Sequence, residues 1–172
     1  MKLSIAELNA LPKADFVAKL GGVFEESPWV AEKVVGKRPF RDREHLFQAM
    51  SDAVRRAGAE KQLALIRAHP DLVGKAAKEG KLSASSASEQ AKAGLTTLAP
   101  EDVKWFDRYN RAYLEKYDFP LIVCLRALKG EPKQLILDQF EMRLHNEPER
   151  ERRTALAEIH KIAEFRLGDL LV

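Results

Sequence analysis

His69 is the residue whose type and position most favour acid–base chemistry in this 172-residue chain. It ends an apolar-patterned segment and stands directly before Pro70 in "LIRAHPDLVGK". Proline disfavours the α conformation of the residue before it, so we expect the helix to end at His69. An imidazole with a pKa of about 6.5 can accept or donate a proton at neutral pH. The alternative is a structural histidine that the negative end of the helix dipole stabilises.

A second candidate is the pair Ser86 and Glu89, which has the spacing S-x-x-E before "QAKAGL". This spacing is typical of a capping box, in which both side chains satisfy backbone N–H groups at a helix start. The same arrangement would also present the Glu89 carboxylate at a rigid position. The pair is therefore compatible with a structural cap and with a catalytic carboxylate.

The run "FPLIVCL" is the one strand-like stretch, although periodicity does not separate a short buried strand from a buried helix. Because no partner strand is evident, we interpret the run as a helix with Pro120 in its first turn. The backbone N–H groups of Leu121, Ile122 and Val123 would then lack helical acceptors and could bind an anion. The alternative is a buried helix start that Asp118 caps.

Arg166 interrupts an apolar stripe in the last predicted helix, where Ile159, Ala163 and Leu170 recur at helical spacing. A guanidinium on a core face must reach solvent, pair with a carboxylate or contact a ligand. Pairing is the commoner arrangement, and a ligand contact stays open.

Helix signals occupy almost the whole chain. Ser4 and Glu7 have the spacing of a capping box. We also predict that Ser27 caps a helix in which Pro28 occupies the first position. No internal repeat is evident. We predict an all-α fold in which residues 1–172 form a single globular domain of about eight helices.

Composition argues against several classes of protein. The net charge of +3 is small, and the pI near 9.0 is not accompanied by a basic stripe with interleaved aromatic residues, so we expect no nucleic-acid partner. The histidines show no HxxxH or HExxH spacing and there is one cysteine, which gives no support for a metal site or a disulfide framework. We expect no signal peptide, no membrane span and a cytoplasmic location.

Five motifs occur in one order: "VFEESPWVAEKVVGKRPF", "RAHPDLVGK", "LSASSASEQAKAGL", "YDFPLIVCLRA" and "IHKIAEFRL". With this combination the chain resembles, from about residue 8 to residue 170, the decarboxylases of 2-oxo-4-hydroxy-4-carboxy-5-ureidoimidazoline (OHCU). HPDL-x-GK followed by S-x-x-EQ-x-x-AGL is specific as a pair. Ser83 stands where the family often has threonine, so the hydroxyl is retained.

The resemblance implies an all-helical, commonly homodimeric enzyme of urate catabolism that converts OHCU to (S)-allantoin and carbon dioxide. It implies that no metal or organic cofactor is needed, because the C5=N imine of OHCU can accept the electrons that decarboxylation leaves on C4.

The resemblance also assigns site residues. His69 would contact the C4 hydroxyl as the acid/base group, and Glu89 would be the second catalytic residue. Arg143 competes with Arg166 for contact with the substrate. The residues that would bind the remaining substrate atoms are Pro70, Ser86, Gln90, Phe119, Leu121, Ile122, Val123 and Arg166.

Two other classes of function stay open. A helical protein-interaction module would show no turnover and would leave Arg166 paired within the core. A nucleic-acid-binding domain, indicated only by the pI, would bind DNA or RNA with a strong dependence on salt.

Overall fold

The computed structural model describes residues 2–172, and helices joined by short turns make up most of that range. Within it the only β-pairing is an isolated parallel bridge between Leu3 and Leu171. The predicted all-α fold class is confirmed. The ten α-helices of the described residues are α1 Ile5–Ala10, α2 Lys13–Leu20, α3 Trp29–Val34, α4 Arg43–Arg55, α5 Ala59–Ala68, α6 Lys75–Lys78, α7 Ala84–Lys92, α8 Pro100–Tyr117, α9 Pro132–Arg143 and α10 Pro148–Leu170.

The chain divides into two compact units. The terminal unit comprises the residues up to Ala68 together with His160–Val172, and the central unit comprises His69–Ile159. The long helix α10 contributes its first residues to the central unit and its last residues to the terminal unit. The assignment of residues 1–172 to a single domain stays a prediction.

The terminal unit is built as its helix patterns predict. The Ser4 hydroxyl accepts the Glu7 N–H, and Glu7 accepts the Ser4 N–H at 2.7 Å, so the capping box is confirmed. On α4, Leu46, Met50 and Val54 recur at four-residue spacing and are fully buried.

The start of α3 differs from the prediction. Pro28 occupies the N-cap position, and the Ser27 hydroxyl donates to the Glu25 carbonyl oxygen at 2.8 Å instead of capping the helix. The cap predicted at Ser27 is therefore wrong, because this hydroxyl closes the preceding turn.

The core of the central unit is aromatic. Phe106, Tyr113 and Tyr117 lie on the buried face of α8, and Phe140 of α9 packs edge-on against Tyr113 with ring centroids 6.0 Å apart. The Phe119 ring stacks on Tyr117 at 5.8 Å. This cluster fixes the chain where it leaves α8.

The residues that follow α8 are not helical, which overturns the helix predicted for "FPLIVCL". Asp118 adopts a left-handed conformation (φ 58°, ψ 29°) that ends α8, so it is not the cap of a new helix. Residues 119–124, here called the buried segment, have no regular secondary structure, are all buried and lead into a 3-10 turn at Leu125–Ala127.

Side chains from distant helices satisfy the backbone of the buried segment. Arg143 donates from Nη1 to the Ile122 carbonyl oxygen at 2.7 Å, and the Cys124 N–H donates to Glu158 Oε2 at 2.9 Å. A buried backbone group needs such a partner, and here the partners replace the bonds that a helix would have supplied.

No helix among residues 2–172 combines the length and the apolar character that crossing a bilayer requires.

Candidate active site

His69 opens a loop, residues 69–74, that connects α5 to α6; this stretch is here called the site loop. Helix α5 ends at Ala68, and His69 lies outside it with only 7% of its surface exposed. The predicted helix end before Pro70 is thus confirmed. A buried histidine in a loop keeps its position only if the loop itself is held in place.

The backbone of the site loop is strained. Val73 has a φ of 55°, in the left-handed region that β-branched residues rarely adopt. At Gly74 an added Cβ would lie 2.4 Å from the Asp71 Cβ, so only glycine fits there. Steric contact with Asp71 therefore requires the glycine of the HPDL-x-GK motif, since any larger residue would change the conformation of the loop.

Two side-chain amides hold the site loop. Gln90 accepts the Val73 N–H at Oε1 (3.1 Å) and donates from Nε2 to the Asp71 carbonyl oxygen (3.3 Å). Asn110 of α8 donates to the Leu72 carbonyl oxygen at 2.9 Å. These bonds tie the site loop to α7 and α8 and offset the cost of its strained backbone.

The carboxylate candidate Glu89 lies in the interior of α7. Ser83 is the N-cap, and its hydroxyl accepts the Ser86 N–H at 3.2 Å. The capping box predicted for Ser86 and Glu89 is therefore wrong, because the helix begins three residues earlier. Ser86, Glu89 and Gln90 have the spacing i, i+3, i+4, which places them on one face of the helix.

Helix α7 contacts the 3-10 turn Leu125–Ala127, into which the buried segment leads. Burial raises the pKa of the Cys124 thiol, and the negative charges of Glu158 and Glu89 act in the same direction. The central unit thus brings together the site loop, the polar face of α7 and the buried segment, which carry most of the predicted site residues.

Arg143 is buried in the core of the central unit, where its guanidinium is bound by a carboxylate and a backbone carbonyl. It is 2% exposed and pairs through Nη2 with Glu151 Oε1 at 2.6 Å, while its Nη1 donates to the Ile122 carbonyl oxygen. Glu151 also accepts from the Tyr113 hydroxyl and from Asn146 Nδ2. Arg143 therefore supports the buried segment from within the core.

Arg166 belongs to the terminal unit. It is buried and pairs through Nη1 with Glu25 Oε2 at 2.6 Å, with a longer contact of 3.4 Å to the Gly22 carbonyl oxygen. The carboxylate pairing expected of a core arginine is confirmed. Its predicted contact with substrate stays a prediction.

Two residues that shape the site, Asn110 and Asp71, were not predicted from the sequence. Asn110 is a polar residue on the buried face of α8, and a buried amide requires partners, so the interruption of that face was a usable signal. Asp71 follows Pro70 in the motif, and burial raises the pKa of its carboxyl group. No sequence pattern reveals that burial.

A cavity of about 240 Å³ lies beside the site loop within the central unit. Val73, Gln90, Leu95 and Val103 are among its lining residues, whereas His69 and Glu89 are not. It is a mainly apolar space beside the helix face that carries Gln90.

Among residues 2–172, no three His, Cys, Asp or Glu side chains are grouped as a metal ion would require.

The all-helical fold, with a buried histidine on a loop that two side-chain amides hold, defines a class of helical proteins with a buried polar site. Comparison identifies the family within that class. The profile of the OHCU decarboxylase family matches residues 9–168. The chain belongs to this family.

Relatives named 2-oxo-4-hydroxy-4-carboxy-5-ureidoimidazoline decarboxylase cover nearly the whole chain. The protein from Haloferax volcanii is 39% identical over 98% of this chain and 96% of its own length. The protein from Mus musculus is 36% identical over 98% of this chain and 93% of its own. A Bacillus subtilis uric acid degradation bifunctional protein is 37% identical, but this chain covers only 32% of it.

Solved structures support the fold. The crystal structure of an (S)-allantoin synthase aligns with a TM-score of 0.77 at 27% identity, covering 98% of this chain and 54% of that one. An OHCU decarboxylase crystallised in the presence of (S)-allantoin aligns with a TM-score of 0.68 at 21% identity, covering 91% of this chain and 96% of that one.

Proposed function

We infer that this protein decarboxylates OHCU to (S)-allantoin and carbon dioxide in urate degradation. The observation that carries the inference is the match of the OHCU decarboxylase family to residues 9–168, together with relatives of that name at 36–39% identity over nearly full length. The rigid, buried position of His69 supports it independently, because proton transfer needs a positioned acid/base group.

The reaction places modest demands on the protein. Cleavage of the bond between C4 and the carboxylate releases carbon dioxide; the electron pair forms a C4=C5 double bond, and the imine nitrogen receives the C5=N π electrons and takes up a proton. The C4 hydroxyl then loses its proton to become a carbonyl, while C5 gains a proton and becomes the stereocentre. The enzyme must orient the carboxylate, move the hydroxyl proton and direct protonation to one face of C5.

His69 is the group proposed to take the C4 hydroxyl proton. The contacts of the site loop support this role, since Gln90 and Asn110 fix the backbone that follows His69. Pro70 contributes by preventing α5 from continuing through His69. Such a mount keeps a catalytic side chain within the narrow range of productive positions.

Glu89 is proposed to bind the polar edge of the substrate with Ser86. Their shared helix face, and the contact of α7 with the 3-10 turn that follows the buried segment, support a site formed by α7 and the buried segment. Gln90 lies on the same face, but both polar atoms of its side-chain amide already bond the site loop: Oε1 accepts the Val73 N–H and Nε2 donates to the Asp71 carbonyl oxygen. We therefore propose that Gln90 acts by positioning the site loop.

Phe119, Leu121, Ile122 and Val123 are proposed to contact the substrate through their backbone. Their anion-binding role no longer rests on a helix N-terminus, because the buried segment is not helical. A backbone outside helices and strands can still direct N–H groups toward substrate oxygens. Arg166 is proposed, from the family resemblance alone, to bind a further oxygen.

Three further properties are proposed from the same resemblance. The enzyme acts without metal or organic cofactor, forms a homodimer and is cytoplasmic. Turnover that is unchanged after extensive dialysis against EDTA supports metal independence. Light scattering on the purified chain distinguishes a dimer from a monomer.

The test is to generate OHCU in solution from urate with urate oxidase and 5-hydroxyisourate hydrolase, then add this protein and follow circular dichroism. We expect a fast rise of the (S)-allantoin signal. His69→Asn is expected to reduce the rate about 10²–10⁴-fold, the usual contribution of a positioned acid/base group.

The matched control is His45→Asn, which changes a half-buried histidine of α4 in the terminal unit. It should leave the rate unchanged. Slow formation of optically inactive allantoin at the same rate with and without the protein would contradict the proposed activity and favour a helical interaction module. Full activity in His69→Asn would instead refute only the role of His69.

A further inference from the structure

The terminal unit carries a second concave site, here called the basic pocket. It has a volume of about 340 Å³, within the range of about 300–1,000 Å³ that is typical of small-molecule sites. It lies among α3, α4 and α5, with two alanines completing its wall. The residues that give the basic pocket its character are Trp29, Lys33, Lys37, Arg56 and Lys61.

The charge of the basic pocket is uncompensated. Four of its lining side chains are cationic and none is acidic. Across residues 2–172, none of these four forms an ion pair with a carboxylate, whereas the neighbouring Arg55 pairs with Asp52 at 3.1 Å. Concave surfaces lined by one sign of charge concentrate ions of the opposite sign.

Helix electrostatics favour three of the four cations: Lys33 lies in the last turn of α3 and Lys37 ends the 3-10 turn Val35–Lys37. Arg56 is the C-cap of α4, where a cation is favoured by the helix dipole. Lys61, however, lies in the first turn of α5, where the same dipole disfavours a cation. Its Nζ lies 5.2 Å from the centroid of the Trp29 ring, a cation–π contact that holds it at the pocket.

We propose that the basic pocket binds a small anion that carries a diphosphate group. Arginine and lysine side chains form charge-assisted hydrogen bonds with phosphate oxygens, and four cations supply several such donors to a ligand with more than one negative charge. The indole ring adds a flat apolar wall against which the remainder of a phosphorylated metabolite can pack. A concave site of this volume accommodates a small ligand, whereas a nucleic-acid strand requires a groove that follows its backbone.

The test uses tryptophan fluorescence, since a ligand that contacts the pocket cations displaces or rigidifies Lys61 over Trp29. The chain has two tryptophans, so Trp105→Phe leaves Trp29 as the only indole reporter. Trp105 lies on α8 in the central unit. This variant is titrated with inorganic pyrophosphate, with ADP and with adenosine, and sodium sulfate of equal ionic strength serves as the salt control.

We expect a saturable change in emission with pyrophosphate or ADP. In the Trp105→Phe background, Lys33→Gln with Arg56→Gln should weaken that binding at least about tenfold, because two charge-assisted contacts are lost. The matched control, Arg55→Gln, removes a neighbouring cation that does not line the basic pocket and should change affinity less than about twofold.

Three outcomes would overturn the proposal. The first is no saturable change with either diphosphate, and the second is equal binding in the double variant. The third is that adenosine or sulfate binds as tightly as the diphosphates. Circular dichroism of each variant verifies that it is folded. The titration contains no OHCU, so its result is independent of the proposed decarboxylase activity.

Discussion

Two buried arginine–glutamate pairs can be compared within this protein, one in each unit. Arg143 pairs with Glu151 in the central unit, and Arg166 pairs with Glu25 in the terminal unit, each at 2.6 Å. Helix α10 supplies one member of each pair, Glu151 near its start and Arg166 near its end. By residue type the pairs are equivalent, but their surroundings differ.

The central pair belongs to a hydrogen-bond network that joins several elements. Glu151 accepts from Arg143, from Asn146 and from Tyr113, whose phenol has a pKa raised mainly by burial and therefore stays protonated. Arg143 also holds the Ile122 carbonyl oxygen of the buried segment. This pair connects α8, α9 and α10 to the segment that borders the proposed site.

The terminal pair has a more local setting. Arg166 connects the last turns of α10 to the stretch from Gly22 to Glu25 that follows α2. Both arginines were candidate substrate ligands in the sequence. Arg143 therefore has a structural role, because its contacts lie in the core of the central unit. Whether Arg166 binds substrate is a separate question that activity measurements on Arg166 variants answer.

The largest effect is expected from Arg143→Ala. It leaves the Glu151 carboxylate buried without its cationic partner, and removing one member of a buried pair typically costs about 3–5 kcal/mol. We expect the free energy of unfolding, measured by urea denaturation with far-UV circular dichroism, to fall by that amount.

The control for this change is Arg111→Ala, an exposed arginine on α8, which should alter stability by less than about 0.5 kcal/mol. A loss below about 1 kcal/mol for Arg143→Ala would mean that the network does not stabilise the central unit. That result would remove the distinction between the two pairs.

A smaller effect should separate the two arginines by function. Lysine keeps the charge but loses the planar fork of donors, so Arg166→Lys should raise the KM for OHCU about tenfold if Arg166 binds substrate. Arg143→Lys should leave KM unchanged and lower the free energy of unfolding by about 1–3 kcal/mol. Both variants are compared by steady-state kinetics and urea denaturation.

Equal KM values for the wild type and Arg166→Lys would assign Arg166 the same structural role as Arg143. The family-based role of Arg166 would then be withdrawn, and the comparison would reduce to a difference in stability. The role of His69 would not be affected, because its test is a separate variant.

The smallest effect concerns His160, which lies on α10 between Glu151 and Arg166. Its Nδ1 is buried and has no hydrogen-bond partner among residues 2–172, and Phe24 packs edge-on against its ring. Burial lowers the pKa of His160 below 6.5, with a further contribution from the charge of Arg55.

Because the folded pKa is the lower one, the unfolded chain binds a proton first as the pH falls. Stability is therefore lost from about pH 6.5 downward, until the folded pKa is passed. We expect His160→Gln to lose less stability than the wild type between about pH 7.5 and about pH 5.5. The control His145→Gln changes an exposed histidine and should follow the wild type; identical pH dependence in all three proteins would contradict the prediction.

Local signals predicted much of the fold because their partners are close in sequence. The capping box of Ser4 and Glu7 is complete within four residues, and Pro70 ends α5 through a steric clash with its direct neighbour. The prediction at Ser86 failed although the rule was sound. The stretch "LSASSASEQ" offers several serines as caps, and the helix begins at the earliest that fits, Ser83.

The buried segment was misread for a different reason. Its six apolar residues suit a buried strand or a buried helix equally well, and the choice depends on which partners satisfy the backbone. Those partners are Arg143 and Glu158, which lie 21 and 34 residues from the atoms they bind. No local pattern carries that information.

The sequence by itself determined the all-helical architecture, the termination of α5 at Pro70 and the membership in the OHCU decarboxylase family. Each depends on neighbouring residues or on a linear motif. Only the tertiary structure decided that Gln90 and Asn110 hold the site loop, that the buried segment is not helical and that four cations share one pocket. These features arise from contacts between residues far apart in the chain, which form only when the apolar faces of the helices pack together.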